Sequence, residues 1–449
     1  MRPIAVKHLA LFLLVLAGSA SMHLYWSRIT DAGYSSPAPA SVSRPKPLTD
    51  LYPRWYAARE FLLHHRDPYG SEVNRELQIA YYGKVLDPSR PEERLDQQRF
   101  VYPLYFIFFI APIAWVQFPT AKIIFWWVLA ACAVLCVFLW LRFLRLRLSL
   151  PATSALFLLV LTSIPIAQNL GILQPFLLPA CFIAGAAVAV VSGHLFIAGM
   201  LMAAATVKPQ ICLLPMAWFG LWLFSDWKSR RTLLLGFMAT LAALLLASEW
   251  VLPGWLIRYP GALSDYAKYT KTVPFLSVLL PSPLNWLVAI LALATVAEFC
   301  WRVRRQPADS PAFALALSFV LTLTTLIVPA VVQPFNHVLL LPVVLLAIRY
   351  WRGLLQGSVV TRAAVFLFGL CAFLPWLLAI VAVSRPLTPH SDWLLKIWSV
   401  PLAASMAFPF AAFGVLMLLR KVVSLQPNLL GAGSASGQPG GLAVVKGQS

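Results

Sequence analysis

Long apolar runs and short polar breaks alternate along almost the whole chain, and one polar stretch near the start interrupts the rhythm. The runs are about 20 residues long, the length a helix needs to cross a bilayer core. The pattern therefore predicts an all-α, integral, multi-pass membrane protein. The first run, residues 9–26, follows Arg2 and Lys7, which places the N-terminus in the cytoplasm. A cleaved signal peptide competes with that reading, because Gly18-Ser19-Ala20 resembles a cleavage site behind a short apolar core.

Basic clusters punctuate the later runs at Arg142/Arg145/Arg147, Lys228/Arg230/Arg231, Arg302/Arg304/Arg305, Arg349/Arg352/Arg362 and Arg420/Lys421. If all lie in the cytoplasm, an even number of spans separates each neighbouring pair. Four spans fit between the first two clusters (151–166, 172–191, 195–207 and 211–224). Two fit between each later pair, with 253–283 as an outer loop, a turn at 333–337, and a last pair at 363–384 and 393–419. Parity also requires that only one of the runs 100–118 and 123–141 crosses. Pro103 and Pro112 make the first the broken, embedded or surface-lying one. The expectation is about 12 transmembrane helices with both termini cytoplasmic. Residues 1–425 form one membrane domain, 27–122 a large first outer loop with membrane-surface helices, and 426–449 a disordered cytoplasmic tail.

Composition agrees: of 449 residues, 60% are hydrophobic and 11% charged, with a mean hydropathy of +0.78. A soluble core of that composition would leave much apolar surface in water. The net charge of +19 would suit nucleic acid, but its location in loop clusters makes it topological, and no nucleic-acid partner is expected. Ten of the 16 acids lie between Arg28 and Arg99, with 11 basic residues, so that loop is nearly neutral. The six cysteines sit inside apolar runs and read as packing residues; no dense acidic or Cys/His cluster calls for a metal.

Charge inside a bilayer is costly and usually functional. Here mid-span acids are almost absent, and Glu249 and Glu298 fall near predicted span ends. Chemistry is therefore expected in the outer loop. There Tyr52, Trp55, Tyr56, Arg59 and Leu63 recur at helical spacing, which predicts a short amphipathic helix on the outer membrane surface starting at Thr49 or Asp50. Asp67-Pro68-Tyr69-Gly70 then forms a turn. Taken alone, Asp50 reads as an N-cap.

Several stretches together resemble glycosyltransferase family 87, polyprenyl-phosphate-sugar-dependent membrane transferases of the GT-C superfamily typified by mannosyltransferases. They are Asp50-Leu51-Tyr52 with Trp55-Tyr56-Ala57-Ala58 and Asp67-Pro68-Tyr69-Gly70; Phe100-Val101-Tyr102-Pro103-Leu104; Gln168-Asn169-Leu170-Gly171-Ile172-Leu173-Gln174; Ala198-Gly199 with Val207-Lys208-Pro209-Gln210; and Pro334-Phe335-Asn336-His337 running on to Pro342. The third departs from the tighter Gly-Gln-x-Asn pattern common in members, so the resemblance gives Gln174 no role.

The resemblance implies transfer of a hexose, mannose favoured, from a polyprenyl-phosphate donor to a lipid or glycan acceptor hydroxyl, with inversion, on the outer face of an inner (plasma) membrane. It implies an aspartate base early in the first outer loop, the position Asp50 occupies. One carboxylate suffices to take the acceptor proton, whereas a retaining double displacement needs two. The phosphate leaving group needs cations, and the outer-side candidates are Arg54, Arg59, Arg99, Lys208, Arg258 and His337. A snorkelling interfacial lysine is an equal reading of Lys208, and a packed interfacial histidine of His337. No cofactor is expected beyond the lipid-linked donor; the partners are donor, acceptor and membrane lipids. A lipid or sugar transporter (flippase) is the first rival, and would need a polar path through the spans; a non-enzymatic scaffold is the second.

Overall fold

The computed structural model describes residues 3–35, 48–90, 93, 97–269, 273–328, 333–384 and 400–425. The expected disordered tail 426–449 and the start of the expected span 393–419, within 385–399, lie outside the described residues. Among the described residues all regular structure is helical.

After helix α1, Pro3–Ser35, the outer segment folds into α2, Leu51–His64, and α3, Ser71–Tyr82, followed by the short α4, Phe106–Ala114. At nine residues α4 extends only about 14 Å, and Pro112 sits inside it. The run 100–118 therefore does not form a single crossing helix. The bundle continues with α5, Phe118–Phe143; α6, Leu150–Leu161; α7, Ile164–Ile172; α8, Leu177–Val191; α9, Leu195–Ala205; α10, Pro209–Phe224; and α11, Trp227–Val251. Helix α12, Trp255–Tyr269, packs on the outer segment; α13, Phe275–Leu279, α14, Leu284–Val303, and α15, Pro311–Ile327, lead to a 3-10 segment, Pro334–Leu340. Helices at Leu341–Arg349, Trp351–Leu355, Val359–Val383 and Phe408–Leu425 complete the chain.

Among the described residues five helices are long and apolar enough to cross a membrane: Phe118–Phe143, Trp227–Val251, Leu284–Val303, Val359–Val383 and Val400–Val423. Helices α6 and α7, bent by 51° at their junction, make a sixth if taken as one span. Shorter apolar helices of 10–17 residues, α8, α9, α10 and α15 among them, stand beside these. Prolines explain part of the difference from the expected 12 full-length spans. Pro165 opens α7 inside the expected span 151–166, whereas Pro209 and Pro334 open new segments at breaks the sequence already shows, between 207 and 211 and in the turn 333–337.

The basic clusters converge on one end of the bundle. Arg145 pairs with Asp309 at 3.3 Å, and Arg349 donates to the Leu144 carbonyl. Arg230 lies over the Trp222 ring at 3.9 Å and donates to the carbonyls of Trp222 at 2.6 Å and Arg304 at 3.1 Å. Glu298 pairs there with Arg302 and Arg420, at a helix end rather than mid-span. Helix α5 runs from this end about 39 Å to the outer segment, so the clusters and the acid-rich loop lie at opposite ends. The Ala198-Gly199 stretch has a packing reason: a Cβ on Gly199 would meet the Leu233 carbonyl oxygen at 2.1 Å, and one on Gly236 the Phe196 carbonyl oxygen at 2.1 Å. These glycines let α9 and α11 cross backbone to backbone.

Candidate active site

Asp50 lies immediately before α2, where a carboxylate would ordinarily cap the first turn. It makes no side-chain cap bond. Its backbone N–H donates to the Ile172 carbonyl at 2.9 Å, and its Oδ2 accepts from Gln174 Nε2 at 2.8 Å. The preceding peptide is also fixed, because the Tyr81 hydroxyl donates to the Thr49 carbonyl at 2.6 Å. The partner turn, 172–174, is formed at some cost: Leu173 has φ +53° and ψ +49°, the left-handed region, which costs a non-glycine residue about 1–2 kcal/mol. That turn brings the Ile172 carbonyl and the Gln174 amide to the same aspartate.

Helix α2 does not lie with its aromatic stripe on lipid. Trp55 is buried and its Nε1 donates to the Ile113 carbonyl at 3.0 Å; the Tyr52 and Trp55 rings pack on Phe118 at 4.9 and 5.1 Å between centroids. The stripe is used against α4 and the start of α5. This turns the Asp50 end of α2 inward.

Two cations share the neighbourhood of Asp50. Arg54, one turn along α2, donates to the Asp50 carbonyl and lies over the Tyr102 ring at 5.2 Å. Lys208, in the turn between α9 and α10, is 6% exposed, with its ammonium 4.9 Å from the Phe176 ring centre and 5.2 Å from that of Phe335. It is not a snorkelling lysine. No ion pair reaches it among the described residues. Burial, reinforced by Arg54 and opposed by Asp50, pushes its pKa from 10.5 down to about 7. Tyr105 anchors the same turn, its hydroxyl 3.0 Å from the Thr206 carbonyl.

His337 follows Phe335 in the 3-10 segment, which Asn169 Nδ2 holds through the Phe335 carbonyl at 2.9 Å. The imidazole is 3% exposed, and neither nitrogen has a hydrogen-bond partner among the described residues. It borders an apolar cavity of about 170 Å³ walled by Ile166, Leu341, Trp376 and Phe408, among others.

The remaining candidates are engaged elsewhere. Arg59 donates to the Ala114 carbonyl at 2.9 Å, closing the end of α4. Arg99 pairs with Asp265 at 3.2 Å and donates to the Tyr69 carbonyl at 3.0 Å. Arg258 pairs with Asp67 at 2.9 Å. The last two fasten α12 to the outer segment. Asp67 also forms the expected turn, its Oδ1 accepting from the Tyr69 N–H at 2.9 Å.

The structure thus gathers Asp50, Arg54 and Lys208, whereas His337, two residues after the Phe335 that Lys208 faces, packs against Phe275, and Arg59, Arg99 and Arg258 are held in clasps. Reading by charge alone missed Tyr102, Gln174 and the two phenylalanines beside Lys208. Tyr102, Gln174 and Phe335 carried one signal, membership of the stretches that resemble the family; Phe176 lies outside them and carried none. Among the described residues no group of three or more His, Cys, Asp or Glu gathers as metal ligands would. In comparisons with known proteins, a family model described as glycosyltransferase family 87 matches residues 100–329, about half of the chain. No curated protein and no solved structure matches.

Proposed function

This chain belongs to glycosyltransferase family 87 and is a membrane glycosyltransferase, and on that premise we propose that it transfers a hexose, mannose favoured, from a polyprenyl-phosphate donor to a lipid or glycan hydroxyl on the outer face. Asp50 is the general base in this reading. It takes the proton of the acceptor hydroxyl as that oxygen forms its bond to the anomeric carbon. The bond from that carbon to the phosphate oxygen breaks on the opposite side, so the configuration inverts. Among the described residues Asp50 is the one carboxylate that acts on Lys208 and Tyr102, which favours single displacement.

The observation that carries the proposal is the charge balance of this largely buried pocket. Two cations, Arg54 and Lys208, face one carboxylate that does not cap its own helix. An unpaired buried ammonium is expensive, and an anionic ligand relieves that cost. A polyprenyl phosphate leaving group supplies such an anion, and developing charge on its oxygen is stabilised by the same groups. His337 offers a further hydrogen bond to the donor, and the apolar cavity it borders suits a prenyl chain.

The test is to incubate the reconstituted protein with a panel of polyprenyl-phosphate sugars and membrane lipid acceptors, then analyse products by mass. One sugar moved to an acceptor in a wild-type-dependent reaction is the expected result. Sugar uptake into vesicles without any transfer product would replace this reading with a transporter.

A further inference from the structure

Gln174 touches the Asp50 carboxylate and is itself tied down on its other side. Its Nε2 donates to Asp50 Oδ2 at 2.8 Å, and its Oε1 accepts from the Tyr102 hydroxyl at 3.3 Å. Only 5% of Gln174 is exposed, so water does not substitute for either partner. A carboxylate only accepts hydrogen bonds, and this fixes the amide with its NH₂ toward Asp50. The amide oxygen is then left facing Tyr102, which must donate. Burial raises the Tyr102 phenol above its ordinary pKa, so the donor proton stays in place. Arg54 lies over the same ring, its guanidinium carbon 5.2 Å from the centre. The same turn supplies the Ile172 carbonyl to the Asp50 N–H, through a left-handed Leu173. Backbone strain of this kind persists where the surroundings hold it and clusters at working sites.

We infer that Gln174 is a positioning residue for the transfer reaction: anchored by Tyr102, it holds the Asp50 carboxylate in its attacking orientation and in its ionised form. This rests on the reading of Asp50 as base. A donor hydrogen bond to the charged form stabilises it over the protonated form. Gln174 therefore sets the pH at which Asp50 begins to work, and does so without touching sugar or phosphate. The charged or titratable groups that face Asp50 are Arg54, Lys208 and Tyr102. All three remain in a Gln174 variant. Lys208, near 7, and Tyr102, raised, act on the alkaline side of the profile.

The experiment is the pH profile of kcat/KM in proteoliposomes, with heptaprenyl-phosphate mannose as donor and a membrane lipid extract as acceptor. Gln174→Ala is expected to lower the plateau about tenfold and to move the acid limb up by about one unit. Gln174→Glu keeps the shape but sets a second carboxylate against Asp50, and is expected to move the acid limb up by about two units. Donor KM stays near wild type in both. Tyr102→Phe gives a smaller shift in the same direction. A purely packing role predicts instead that Gln174→Ala lowers the plateau and leaves the limb in place, because packing alone does not favour the ionised carboxylate. An unmoved limb in both Gln174 variants, with Asp50→Asn inactive, overturns the inference and leaves the base standing. An active Asp50→Asn removes the base and the inference with it.

Discussion

Two regions of the outer segment use charge in opposite ways. In the cap built from α2, α3 and the loop after them, every described carboxylate has a cation. Arg66 reaches Glu60 and Glu76 at 2.8 Å and Glu72 at 3.6 Å; Lys84 and Arg90 reach Glu93; Arg90 reaches Asp87; and Arg258 reaches Asp67. These groups are in balance, and their chemistry ends with the fold. Around Asp50 the balance fails: one carboxylate faces Arg54 and Lys208, and Lys208 sits between aromatic rings away from water. Most acids of the loop hold structure. The place where cations exceed acids, and burial makes that excess costly, is where a ligand's charge belongs.

The contrast breaks first at Asp50. Asp50→Asn is expected to lower kcat about 10³-fold, the contribution of a general base, with unchanged gel-filtration behaviour; near-wild-type turnover removes the aspartate from the mechanism. Next comes Lys208→Met, for which we expect donor kcat/KM to fall about 10²-fold. The melting temperature should hold or rise, because a buried unpaired charge has been exchanged for an apolar chain of similar length. A loss of stability would mean that Lys208 has a structural partner after all.

The pH dependence of the ligand-free protein sharpens the same point. Lys208 has a folded pKa depressed to about 7 against 10.5 unfolded, so between those values the unfolded chain binds more protons. Stability should therefore rise with pH across that window in the wild type and not in Lys208→Met. Anion binding favours the charged lysine, so donor KM should increase as pH rises past about 7. The smallest effect belongs to the balanced cap. Arg66→Met should leave turnover unchanged and lower the melting temperature by about 4 °C, because it leaves the buried Glu60 without its cation while the exposed Glu72 loses little. Glu76, held by Arg66 below its ordinary 4.5, contributes stability above that value and loses it as pH falls further. Arg66→Met should lack this acid-side loss.

The sequence made some of this readable for physical reasons. Acid scarcity in apolar runs is a free-energy constraint that directs attention to the outer segment, where Asp50 and Arg54 lie, and the basic clusters meet one another across the bundle as like-charged loop anchors can. Helix division was less legible. Hydropathy registers that residues 151–172 are apolar, but the bend near Pro165 depends on local backbone geometry. Within the site, Asp50, Arg54 and Lys208 were visible as charges. Whether Arg59, Arg99 and Arg258 shared their pocket was not, because Ala114, Asp265 and Asp67 meet them only in three dimensions. Gln174 was invisible for another reason. It is neutral and 124 residues from Asp50 in the chain, and its importance comes from a strained turn that no propensity announces.

If the cation excess beside Asp50 seats a lipid phosphate, a prenyl phosphate should bind there on its own. The most direct measurement is the binding of heptaprenyl phosphate, without any sugar, to wild-type protein and to Lys208→Met at pH 6.5, by native mass spectrometry in detergent. The account predicts a saturable complex for the wild type, weakened about 100-fold in the variant, while Arg66→Met binds as the wild type does. Equal affinity in wild type and Lys208→Met would contradict it.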